Sequence, residues 1–221
     1  MKNLLLIIIC FALSQAQGQV RTGGDAEFLM VINNENTVDK PVGSPYFPGE
    51  QFTLGTVKME QRDPLIALLR YDVAQEVMEI KLRDNDSEVM KLVNNDRVIY
   101  EIGEREFVWN SLNVDGTVHT GFFVKYFDGN SIKLLGKPVA KLTEAVKATT
   151  GYGLNKPARI EIEELFLLVF NDGRVEEISL KERDLKKAFD SDKVNSFLKE
   201  NKIKSVEDVV ELLTSYEDSL N

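Results

Sequence analysis

Between residues 52 and 135 the chain cannot sustain a helix, because its apolar residues alternate with polar ones and a turn signal interrupts every run. Thr53–Glu60, Leu65–Val73, Glu76–Arg83, Glu88–Val93, Arg97–Ile102 and Arg105–Asn110 read as strands, with Asn94-Asn95-Asp96, Gly103-Glu104 and Asp115-Gly116 as turns between strands. Residues 118–137 form another hairpin about Asp128-Gly129-Asn130, and residues 158–180 give two more strands about Asp172-Gly173. Strands this closely spaced, with no long helix between them, predict an antiparallel meander that curls into a sandwich, barrel or half-barrel. Residues 138–158 are ambiguous: Pro138 suits an edge strand or loop, while Val139–Lys147 also fits a short helix.

The segment LLRYDVAQEVMEIKLR, residues 68–83, fixes a register within that meander. Leu69, Tyr71 and Val73 share one parity, as do Met78, Ile80 and Leu82. Arg70, Asp72, Glu79, Lys81 and Arg83 take the other. This predicts one buried face and one wet face. Met78→Asp or Ile80→Asp should then unfold the protein, and Glu79→Ala should leave its melting temperature almost unchanged.

After residue 180 the apolar period changes from two to about 3.6. Leu185, Ala188 and Phe189 share a face, as do Val194, Phe197 and Leu198 behind a Ser191 cap. Ser205 with Asp208 resembles a capping box before Val206, Val209, Val210, Leu213 and Tyr216. Helices this short need a surface to pack on. The expected class is therefore α+β: an antiparallel β-meander over residues 51–180, followed by two to three C-terminal helices over 181–221 that cover it.

The chain starts MKNLLLIIICFALSQAQGQ, with Lys2, an apolar run from Leu4 to Leu13, and small residues at Ser14 and Ala16. That order predicts a signal peptide over residues 1–16. Residues 17–50 then form an extended lead-in, with a short apolar stretch at Phe28–Ile32 and Tyr46 and Phe47 held against the body by Pro45 and Pro48. Removing the leader takes Cys10 with it, so no thiolate chemistry and no disulfide is expected. It also leaves 26 basic against 36 acidic side chains, a net −10. So acidic a chain is a poor match for nucleic acid. No later apolar run reaches membrane-spanning length.

Catalytic and cofactor signatures are weak. His119 is the single histidine, has no nucleophile motif beside it, and reads as a strand or turn residue. Asp84, Asp86 and Glu88 alternate like the start of a calcium loop, without its glycine and distal glutamate. Glu161, Glu163 and Glu164 are the densest carboxylates on a strand and suit a solvated face better than a hydrolase pair. No phosphate-cradling loop is present, so no cofactor is expected. Lys133, Lys137, Lys141, Lys147, Lys156 and Arg159 face only Glu144 in their region. They are the candidate patch for an anionic partner, or else the lysine-guarded edge of a sheet.

The stretch LLRYDVAQEVMEIKL, the preceding SPYF and the lysine-rich tail LKKAFDSDKVNSFLKENKIKSVEDVVELLTSYEDSL resemble uncharacterised exported proteins of Bacteroidetes-type bacteria. In that group an Arg-Tyr strand, here Arg70-Tyr71, precedes a Met-Glu strand, here Met78-Glu79. The resemblance implies a β-then-α order and envelope localisation, periplasmic or extracellular, and implies no activity. The expected function is that of an exported, non-enzymatic binding or structural module whose partner is an envelope protein, a glycan or a lipid. One alternative is a carrier of a lipid or other apolar ligand in a curled sheet, with the aromatics of Phe107–Trp109 and Phe122–Phe127 lining the cavity or forming a solid core. A second is a carboxylate-based hydrolase.

Overall fold

A computed structural model describes residues 41–146 and 156–220. The strands are β1 (Tyr46–Phe47), β2 (Thr53–Met59), β3 (Leu65–Asp72), β4 (Val77–Lys81), β5 (Met90–Leu92), β6 (Val98–Ile102), β7 (Arg105–Val114), β8 (Thr117–Asp128), β9 (Ile132–Thr143), β10 (Arg159–Phe170) and β11 (Val175–Ile178). Three helices follow: α1 (Glu182–Phe189), α2 (Asp192–Glu200) and α3 (Val206–Asp218). All strands join one antiparallel sheet in the order β11-β10-β9-β8-β7-β6-β2-β3-β4-β5, with β1 beside β3. The α+β class, a β-meander followed by helices, is what the alternating pattern predicts. The meander stays open. The expected signal peptide and the Phe28–Ile32 stretch lie outside the described residues.

The connection from β5 to β6 forces the sheet to curl. These strands are four positions apart, about 19 Å if the sheet were flat. Residues 93–97 would span that only when almost fully extended. Instead they turn, with the Val98 amide donating to the Asn95 carbonyl at 3.3 Å. β5 must therefore swing round toward β6. The interior of this curl is packed with rings: Tyr71, Tyr100, Phe107 and Phe122 are all buried. Phe122 meets Tyr71, Tyr100 and Trp109 edge-on, at 5.2, 5.5 and 5.0 Å between centroids. Such pairs each add about 0.5–1.5 kcal/mol beyond simple burial.

Where β8, β9 and β10 run side by side, both faces of the sheet are covered. Ile132, Leu134, Leu168 and Ile178 pack under Leu185, Ala188, Val194, Leu198, Val209, Leu212 and Leu213 of the helices. Val114, Phe123, Leu135 and Leu167 cluster separately, and β11 comes round to touch β7. The consecutive Phe122-Phe123-Val124 run follows from this arrangement. Phe122 and Val124 enter the first core and Phe123 enters the other cluster. A strand buried on both faces has no polar parity. The capping box forms as expected, Asp208 Oδ2 accepting the Ser205 amide at 2.9 Å.

Pro138 lies inside β9, opposite Glu164 of β10. It is tolerated because β8 leaves β9 after Val124↔Gly136, so β9 is an edge from Lys137 onward. The helix alternative for Val139–Lys147 is therefore not adopted over Val139–Thr143.

Register in the β3–β4 hairpin is as predicted, with Leu69↔Ile80 and Tyr71↔Met78. All four side chains are fully buried, whereas Leu82, past the end of β4, is exposed. The outer face is not wet, however. Tyr46 of β1 lies on the Arg70 guanidinium at 3.6 Å, with Phe52 nearby at 4.3 Å. Under this cover Asp72 and Glu79 are only 1% and 5% exposed. Burial raises the Asp72 pKa, and bonds from the Gln75 amide and side chain oppose the rise. Phe47 faces the other way, into the core against Phe107.

Candidate ligand pocket

The ring-filled interior stops short of one end of the first curl. Below the β2–β3 turn a cavity of about 450 Å³ remains, between β2, β4, β5 and β6. Its walls are the inward-facing Val57, Met59, Ile80, Leu92 and Val98, with Tyr100 also lining it and Leu65 and Val93 partly exposed. The period-two alternation sends these side chains inward. The short β5–β6 connection brings Leu92 and Val98 to the lining of one cavity. Gln61, Arg62 and Asp63 of the β2–β3 turn and Asn95 supply polar groups around the apolar walls. Burial pushes the Tyr100 hydroxyl up to about 12, so it remains a neutral O–H at physiological pH. An apolar cavity with a few polar groups, within the usual range of roughly 300–1,000 Å³, is suited to holding a small molecule.

A shallow, open depression of about 430 Å³ on the surface shares Asn95 with this cavity. It is lined by Asn94, Asn95, Asp96, Trp109, Asn110 and Ser111. Asn95 Oδ1 accepts the Arg97 amide and Asn110 Oδ1 accepts that of Ser111, at 2.9 and 2.8 Å. Asn94 Oδ1 is buried with no hydrogen-bond partner among the described residues, an arrangement that costs about 1–3 kcal/mol. In sequence, Asn94-Asn95-Asp96 signals only a turn. Its position beside Trp109 depends on where β5 ends relative to β7.

The lysine-rich set is dispersed. Lys133 pairs with Asp128 at 2.6 Å, Lys141 with Glu163 at 3.2 Å and Arg159 with Glu161 at 3.0 Å. Lys156 is exposed, and Lys147 lies outside the described residues. Lys137 is buried where β8 and β9 diverge. There its Nζ meets Glu76 Oε1 at 2.6 Å, and the Tyr71 hydroxyl donates to Glu76 Oε2 at 2.8 Å. Burial, and then the Glu76 carboxylate, push the Tyr71 pKa far above its ordinary value. The β3–β4 turn thus wedges into the fork. Gly121 makes room for it: its φ is +148°, and a Cβ there would sit 2.3 Å from Lys137 Nζ.

The remaining sequence candidates are scattered too. His119 is in β8 opposite Leu112 and lines a polar cleft with Asp115, Glu176, Glu177, Asp184 and Lys187. Asp86 Oδ2 accepts the Arg83 amide at 2.9 Å. No group of three or more His, Cys, Asp or Glu is arranged to hold a metal among the described residues. Glu161 and Glu163 are exposed, while Glu164 turns inward and accepts the Tyr126 hydroxyl at 2.8 Å. Burial raises the Glu164 pKa, against the Tyr126 bond. No helix among the described residues is long and apolar enough to cross a membrane.

No family model matches this chain, and neither a curated protein nor a solved structure is significantly similar to it. The geometry of the cavity and the adjoining depression is therefore the basis for any functional reading. What they offer is shape, apolar surface and fixed hydrogen-bonding groups.

Proposed function

We propose that the protein is an exported, non-enzymatic envelope protein that acts by binding, and that the cavity below the β2–β3 turn holds an apolar ligand or the apolar part of one. The observation that carries this reading is local: rings and aliphatic side chains pack the curl, and at one end about 450 Å³ stays open between apolar walls with Gln61, Arg62, Asp63 and Asn95 around them. Each methylene transferred there from water contributes about 0.8 kcal/mol. The leader-like order of Lys2, Leu4–Leu13 and Ala16 supports export.

The test is binding of N-phenyl-1-naphthylamine, whose emission rises in apolar surroundings. The parent protein should saturate with the dye. Leu65→Trp, at the partly exposed edge of the cavity, should fill it and weaken binding about ten-fold or more while melting like the parent. No saturable binding by the parent, or equal binding by Leu65→Trp, would refute the reading.

A further inference from the structure

The depression beside the apolar pocket has a different chemistry. Three asparagines, one aspartate and one serine surround an indole. Phe122 packs edge-on against that indole at 5.0 Å and holds its orientation. The Asn95 and Asn110 amides are each anchored through Oδ1 by a backbone N–H, which directs their NH2 groups away from those anchors. The Asp96 carboxylate supplies an acceptor. Hydroxyl groups both donate and accept, so a polyol can use both kinds of group. A pyranose ring also presents a face of C–H groups that suits an aromatic surface. The lining includes one carboxylate and no cation, which disfavours an anionic head. Asn95 borders both this depression and the apolar cavity, so the two adjoin at its side chain.

Resting on the reading of the apolar cavity as a ligand site, we infer that the ligand is an amphiphile with an uncharged, sugar-like head. Its tail lies among Val57, Ile80, Leu92 and Val98, and its head lies against Trp109 and the asparagines. Groups fixed before binding lose little entropy on contact, which favours a head that matches them.

Trp109 is the only tryptophan in the chain, so its emission, read in a parallel titration without dye, reports on the head compartment. The full chain, preloaded with N-phenyl-1-naphthylamine, is titrated with octyl β-glucoside below its micelle threshold, 1-octanol or octanoate. The glucoside should displace the dye at about ten-fold lower concentration than octanol or octanoate, and it alone should shift the Trp109 emission. Asp96→Ala combined with Asn110→Ala should remove most of that advantage and leave displacement by octanol unchanged, which also shows that the variant is folded. Equal displacement by octanol and glucoside, stronger displacement by octanoate, or a glucoside that leaves Trp109 unchanged would overturn the headgroup assignment while the apolar pocket stands. If the dye binds to no saturable site, the pocket reading fails, and this inference fails with it.

Discussion

Glu79→Ala separates the hairpin's sequence pattern from its tertiary environment. By parity Glu79 belongs to the wet face, and truncating it should be almost neutral. In the folded protein its side chain is 6% exposed and that of its partner Arg70 is 18% exposed. Arg70 donates to Glu79 Oε2 from both Nε and an Nη, at 3.1 and 2.6 Å. Removing the carboxylate leaves a guanidinium held between Tyr46 and Phe52 without its counter-charge. Removing one partner of a buried pair costs about 3–5 kcal/mol. Arg70 keeps its bond to the Glu50 carbonyl at 2.9 Å and its two ring contacts, which lowers the expected loss to about 2–4 kcal/mol. For a fold of this size that is a fall in Tm of roughly 5–15 °C. Urea unfolding followed by circular dichroism measures it directly. The double variant Arg70→Met/Glu79→Leu should recover at least half of the loss, because it strands no charge. If Glu79→Ala cost less than about 0.5 kcal/mol, a typical surface value, the covered outer face would be refuted.

Three further expectations follow from the same geometry. Ile80→Asp puts a carboxylate at a fully buried position opposite Leu69, and should abolish cooperative unfolding; a parent-like melt would mean the register is wrong. Glu217→Ala removes the acceptor for the Asn130, Ser131 and Ile132 amides, bonded at 3.2, 2.7 and 3.0 Å. It should cost about 1–3 kcal/mol in urea and speed hydrogen exchange at those three amides; unchanged exchange there would count against the clamp. Glu164 has a pKa raised by burial above its ordinary 4.5, so its penalty is absent below that value and present in full once pH exceeds the folded pKa. Glu164→Gln should therefore stabilise the protein at neutral pH, with the advantage fading as pH falls toward 4.5, and a gain independent of pH would contradict the assignment.

The candidate site was only partly legible in the chain. Val57, Ile80 and Val98 could be assigned to an interior by parity, because alternation along a strand is a local property. Whether that interior was filled or open could not, since this depends on how sharply the sheet curls and where the rings stop. The aromatic pair Phe107 and Phe122 turned out to be solid packing. Trp109, two residues from Phe107, packs on the same rings and also reaches the edge of the polar depression. The lysine series on β9 suggested one surface, yet the fork between β8 and β9 buries Lys137 and leaves Lys133 outside.

What the sequence determined alone was the alternation of strands and turns, the inward parity of the β3–β4 hairpin, and the change to helices after residue 180. Each of these follows from side-chain period and turn chemistry within a few residues. The tertiary structure decided which faces are covered, because burial depends on segments distant in sequence. Tyr46 and Phe52 reach the outer face over Glu79, β11 curls back to β7, and a five-residue link draws β5 toward β6. That last constraint places the cavity and the depression side by side, and no local pattern encodes it.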